Sequence, residues 1–502
     1  MKCSNFIFYF IIRISFLFNY TKNFYALRFQ TIYINDETIE GKKYHDLLFQ
    51  NELYMNLSIG TPIQNIKAIL KMDKYGFIIY EDAFNCNASS TYEIVDEDLK
   101  ISWVWSYISY PSKAQFYLPS FNSYDDFNKY ILTNRESEIK HKIAKTNKTT
   151  FLRIHIKDIN ANNFNLMFHK YAIVGLQLNV DKKYFNAPEF IESLKVTKNI
   201  KLDSFSLKFD DIKNKGFFHN ENKGYLIIGE ELTDQENEKE IIKYTKGIKY
   251  GGEIKWQTIF DNIYSKEKNE KEIKNVNYLN EYKEESKQGN FFVNYPYILG
   301  TKEYISFIND TFFNDLIEQN LCYINYKIHN NDYFSYICDS TSKIFMEKLN
   351  NSFPDLIFEH KELEENFILT KNDLFSFNNF NKSDTNLYFL IMFANSKSKE
   401  YIFHWILGIP FLKKYRLSFN YESKEIGYYK YDGKIRKNKK EKENSNFFDF
   451  LNTTIFKVLC IIILIVIIFV LGMICQRIII KSPRKAKANE LEEDYEYISN
   501  IN

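Results

Sequence analysis

The run VLCIIILIVIIFVLGMIC, Val458 to Cys475, carries no charge in eighteen residues. Hydrocarbon satisfies no backbone polar group, so an apolar stretch this long reads as a membrane-spanning helix. We place that single transmembrane helix at 455–476. Arg477, Lys481, Arg484, Lys485 and Lys487 follow at once, the basic flank expected on the cytoplasmic side. At the other end, MKCSNFIFYFIIRISFLFNYTKNFYA has a basic start, an apolar run interrupted by Arg13, and small Ala26. Residues 1–26 therefore read as a secretory signal peptide. The two ends together predict a type I membrane protein of the secretory pathway or cell surface. Its ectodomain would be lumenal or extracellular, joined through a charged linker (432–454) to the membrane helix and a cytoplasmic tail (477–502).

In that tail Tyr495-Glu-Tyr-Ile498 resembles a tyrosine-based sorting signal, carried by Tyr495 and Ile498. The chain has 502 residues, 45% apolar and 18% aromatic, enough to bury a large core. A net charge of +2 gives no reason to expect a nucleic-acid partner. Of six cysteines, only Cys86, Cys322 and Cys338 fall in the expected ectodomain. Cys322 and Cys338 flank a hairpin pattern and are paired here as a disulfide, which leaves Cys86 free. No Cys/His spacing suggests a metal site, and no cofactor is expected.

The ectodomain alternates apolar and polar residues over short runs, as in NELYMNLSIG, FLRIHIKD, FSLKFDD and YRLSFNYESKEIGYYKY. A period of two predicts strands, so the fold class is mostly β. Helical spacing is brief, as in APEFIESLKV and KEYISFINDTFFNDLIEQ. The charged run 264–290 holds few core residues and reads as a surface insertion.

A series of landmarks then appears in order: IGTPIQ at 59–64, ILKMDKYGF at 69–77, SSTY at 89–92, YAIVGLQL at 171–178, SFSLKF at 204–209, GYLIIGEE at 224–231, FFVNYPYILGTKEYI from 291, and WILGIPFLKKYRLSFNYESKEIGYYKY at 405–431. Over residues 50–431 this series resembles the pepsin-like aspartic proteases, the plasmepsins in particular. The resemblance implies a two-lobed fold. The expected parts are a short N-terminal segment (27–50), a first lobe with inter-lobe strands (51–245), and a second lobe (246–431). It also implies a peptide-binding cleft between the lobes.

In that family each lobe supplies one carboxylate, and the two share a proton and activate a water. Counted from Gln64, the first acid position falls on Lys71; the second falls on Asn294. An ammonium paired with an amide cannot do this work, so no catalytic residue is expected. Allowing two extra residues instead places Asp73 at the first acid position and aligns Cys86 with the family's first cysteine. The hairpin over the cleft corresponds to KISWVWSYISYP, with Trp103 and Val104 where the family has Tyr-Gly, and Trp105 beside them. The resemblance therefore implies a degenerate aspartic endopeptidase that binds a peptide or protein partner. The alternatives are an atypical endopeptidase using Asp73 and a scaffold that uses only its outer surface.

Overall fold

The computed structural model describes most of the chain between residues 24 and 430. Residues 1–23, 34–43, 96–100, 104–106, 132–141, 157–169, 178–188, 211–221, 231–242, 267–283 and 431–502, with some shorter breaks, lie outside the described residues. The expected membrane helix, linker, tail and sorting residues Tyr495 and Ile498 all fall there. Among the described residues no helix is long and apolar enough to cross a membrane. All the described residues belong to one compact unit, Met1–Tyr431.

The described part is mostly β, in sheets of sixteen, nine, three and two strands. Alternation explains the first strands. In β2 (Asn51–Ile59), Leu53, Met55, Leu57 and Ile59 are buried while Tyr54, Asn56 and Ser58 point away. Gly60 then turns the chain at φ +82, and a Cβ there would lie 2.7 Å from Ser89 Oγ, so only glycine fits this turn. β3 (Gln64–Lys71) returns antiparallel to β2 and also lies parallel to the strand Ala172–Gly175. Held between neighbours, it buries Ala68, Ile69 and Leu70 in succession.

β1 (Phe24–Tyr33) begins three residues inside the segment expected to be signal peptide. The reason is packing. Phe24 and Ala26 join a small cluster with Phe121 and Phe127, while Tyr25, Leu27 and Phe29 face the main core. β1 pairs with β2, with Phe116–Phe121 and with Lys223–Ile228. The end of the second half returns to this sheet: Tyr415–Asn420 pairs with Ser204–Phe209, and Glu425–Lys430 with Lys243–Lys246. The expected lobe boundary at 245 thus cuts a strand. The strands from Gln257 to Leu407 build the nine-stranded and three-stranded sheets.

The expected insertion at 264–290 is also too wide at both ends. Tyr264 and Ser265 are buried in the strand Asn262–Lys266, and Gln288–Phe291 is a strand of the nine-stranded sheet. Cys322 and Cys338 face each other across an antiparallel pair and are bonded, Cα–Cα 4.0 Å; Cys86 is buried and free.

The short segment before β2 is docked against the second half. α1 (Tyr44–Leu48) buries Tyr44, Leu47 and Leu48. Tyr44 Oη and Ser376 Oγ are hydrogen-bonded at 2.5 Å, and His45 Nε2 donates to the Phe389 carbonyl at 3.2 Å. Asp46 accepts the His329 backbone N–H at 2.7 Å, and Phe49 stacks on the His329 ring at 4.5 Å. His45 was not singled out by sequence, yet it is fully buried with Nδ1 lacking a partner. Burial pushes its pKa down to about 4, against a smaller opposing effect of the Phe389 hydrogen bond.

A base that folds neutral loses stability on acidification. The unfolded chain takes up its proton near 6.5, the folded one only near 4. The His45 contribution is therefore intact above 6.5 and lost as pH falls through about 4, by roughly 3 kcal/mol. We expect the stability difference between wild type and His45→Phe, from denaturant unfolding, to be flat above 6.5 and to shift against wild type below it. A difference that does not change with pH would refute this.

Candidate functional site

The two halves repeat one local arrangement. Val174 lies between Leu70 and Phe77, and Leu407 lies between Phe291 and Ile298. In each half a glycine follows that central residue, Gly175 or Gly408. Six residues span each loop, 71–76 and 292–297. The third residue of the first is Asp73, and the third of the second is Asn294. Lys71 and Asn294 thus hold different places in the repeat, whereas the count from Gln64 treats them as a pair. Lys71 ends β3 and is the first of the six loop residues, and Asp73 is the residue that matches Asn294 in the repeat. Sequence counting missed this because a shift of two leaves the strand's faces unchanged.

Backbone bonds pin both loops. Leu176 N–H donates to Lys71 O at 2.7 Å, Gly175 N–H to Gly76 O at 2.9 Å, and Gln177 N–H to Lys74 O at 3.0 Å. In the second half Ile409 N–H donates to Tyr295 O at 2.7 Å. Gly408 is obligatory by space: a Cβ would lie 2.1 Å from both the Tyr295 and Tyr297 carbonyl oxygens. Ile409 itself is buried. The loops are also tied together. The Leu176 carbonyl accepts Trp256 Nε1–H at 2.6 Å and Tyr421 Oη–H at 2.8 Å, and the Trp256 carbonyl accepts the Phe291 N–H at 3.0 Å.

Lys71 does not present a free cation. Its Nζ is ion-paired with Glu52 of β2, and the two side chains are only 13% and 11% exposed. Glu52 was not singled out by sequence; the signal was its place opposite Lys71 when the β2–β3 register is continued from Tyr54–Ile69. Burial pushes the Glu52 carboxyl up to about 7; Lys71 opposes this, and Asp73 adds to it. Burial outweighs the ion pair because desolvating a carboxylate costs more than one partner returns. Three oxygens here are buried without a hydrogen-bond partner: Glu52 Oε2, Asp73 Oδ1 and Asn294 Oδ1.

Trp103 ends the strand Ile101–Trp103, which forms a hairpin with the strand starting at Tyr107; Val104 and Trp105 lie outside the described residues. Asn420 Oδ1 accepts the Glu422 and Ser423 N–H groups of the turn that follows it. His360 is buried on Thr258 Oγ1 at 2.9 Å, and burial lowers its pKa. Among the described residues no group of three His, Cys, Asp or Glu side chains could hold a metal. Neither a protein-family model nor a curated protein matches the chain.

A carboxyl whose folded pKa is raised contributes stability below its unfolded pKa of 4.5 and loses it as pH rises through about 7. Removing Lys71 should therefore hurt most where Glu52 must ionise. We expect Lys71→Met to cost about 2–3 kcal/mol at mildly alkaline pH and clearly less in acid. Denaturant unfolding at the two pH values checks this. Equal costs would mean that Lys71 acts through packing of its stem alone.

Proposed function

We propose that the chain is a membrane-anchored, two-lobed pepsin-like protein of the secretory pathway or cell surface. On this reading it has no protease activity and holds a peptide or protein partner in the cleft between its lobes, with a lumenal or extracellular ectodomain and one transmembrane helix. The observation that carries the reading is Asn294 at the loop position that matches Asp73. Aspartic proteolysis needs two carboxyls that share a proton; one must take a proton from water while the other donates to the carbonyl oxygen. A carboxylate opposed by an amide has no second proton to give. The Thr-Gly pair after each acid is also missing: Lys74-Tyr75 and Tyr295-Pro296 stand there.

One observation favours a second reading, an atypical endopeptidase centred on Asp73. Glu52 holds its proton to about 7 and feels the charge of Asp73, so a carboxyl pair exists within the first half. The scaffold reading, in which only the outer surface is used, has no such observation behind it. The purified full chain in detergent, given a mixed peptide pool from acidic to neutral pH, should leave every peptide intact. Cleavage abolished by both Asp73→Ala and Glu52→Gln would establish the second reading instead.

A further inference from the structure

Buried polar atoms in folded proteins nearly always find a partner, and each exception asks for an explanation. Here three exceptions belong to the two loops and their immediate neighbour. Asp73 Oδ1 and Asn294 Oδ1 occupy the same place in the two repeated halves, and Glu52 Oε2 belongs to the carboxyl whose charge reaches Asp73. All three are acceptors. The loops that carry them share one bracket, from Lys71 through Leu176 and Trp256 to Phe291.

The charges point the same way. Two carboxyls stand with one ammonium, and that ammonium, Lys71 Nζ, is held on Glu52 Oε1. Once Glu52 ionises, above about 7, the first half therefore has carboxylate charge to spare, and it has acceptors to spare on either side of that pH. An anionic ligand would meet Asp73 and an already engaged lysine. A neutral hydroxyl brings a single donor. A primary ammonium brings three donors and no acceptor, and it carries the missing positive charge.

We propose that Asp73 and Asn294, with Glu52 as the neighbouring carboxylate, form a subsite for a primary ammonium group, borne by a peptide as its N-terminus or as a lysine side chain. This rests on the reading of the chain as a peptide-binding protein and adds the chemistry its centre selects. Asp73 supplies the charge-assisted bond. Asn294 supplies an oxygen acceptor that stays uncharged at every pH, which a second acid would not. The loss of the second carboxyl then changes the site from one that shares a proton to one that accepts a cation.

The test uses the full chain in detergent and titration calorimetry at mildly alkaline pH, where Glu52 is ionised. The probes are butylamine with butanol as its neutral control, and three tripeptides: acetyl-Phe-Lys-Phe-amide, the same peptide with norleucine for lysine, and that norleucine peptide with a free N-terminus. We expect butylamine to bind and butanol not to. We expect one of the two ammonium-bearing peptides to bind roughly ten- to a hundredfold more tightly than the acetylated norleucine peptide. Whichever does so identifies the source of the ammonium. Asp73→Asn should erase that margin while leaving the norleucine peptide unaffected; it is isosteric, and its thermal midpoint reports whether it folds. Asn294→Asp adds a charge without changing shape and should widen the margin. Three peptides that bind alike would overturn the ammonium subsite and leave peptide binding standing. Butylamine binding without any peptide would uphold the subsite and overturn peptide binding. An unchanged margin in a folded Asp73→Asn variant would place the ammonium elsewhere and overturn the assignment.

Discussion

The peptide group of Leu176 sets the position of everything at the centre of the molecule. Its N–H reaches back to Lys71, and its carbonyl takes two donors from the second half, Trp256 and Tyr421. A carbonyl has two lone pairs, and both are used here. Leu176 is fully buried, so losing either donor would strand a polar group away from water. Trp256 and Tyr421 are buried, lie edge to face at 5.4 Å, and pack with Phe205 and Phe419. The hydrogen bonds orient the two rings, and the aromatic packing keeps the bonds dry. Because the Trp256 carbonyl also receives the Phe291 N–H, the second loop is fixed from the same point as the first.

On this frame the charged residues work against one another. Lys71 and Glu52 are too buried to be a surface pair and too poorly surrounded by donors to be a fully satisfied one. Glu52 therefore keeps its proton to about 7, and the site changes charge across the range that separates acidic from neutral compartments. His45, docked with α1 on the second half, responds with the opposite sign. Acid removes the contribution of neutral His45 but preserves that of protonated Glu52. Their windows overlap between 4.5 and 6.5, so global stability there varies less than either group alone would make it.

Much of this was legible in residue order. The period-two runs gave the mostly β class, and β2 buries the residues its alternation names. Cys322 and Cys338 meet across the strands that flank the expected hairpin. Other features were hidden. The segment around His45 shows no periodicity, and its burial depends on Ser376, Phe389 and Tyr388, more than three hundred residues away. Phe24, Tyr25 and Ala26 suit the end of a leader as well as a strand with two buried faces, so residue type alone does not announce β1. The expected charged insertion is too wide because composition averages over a window, whereas Tyr264 and Ser265 are buried one by one.

The sequence by itself determined the strand content, the pairing of Cys322 with Cys338, and the identity of Asn294 as the residue in the second loop. It left the first loop in two registers, one with Lys71 and one with Asp73 at the position of interest. Only the tertiary structure, by setting Val174 and Leu407 at matching places in the two halves, puts Asp73 and not Lys71 in the place that matches Asn294. The physical reason is that a strand's own pattern repeats every two residues, so a two-residue shift costs nothing locally. Only neighbouring strands, through their hydrogen-bond ladders, fix which residue leaves the sheet and enters the loop.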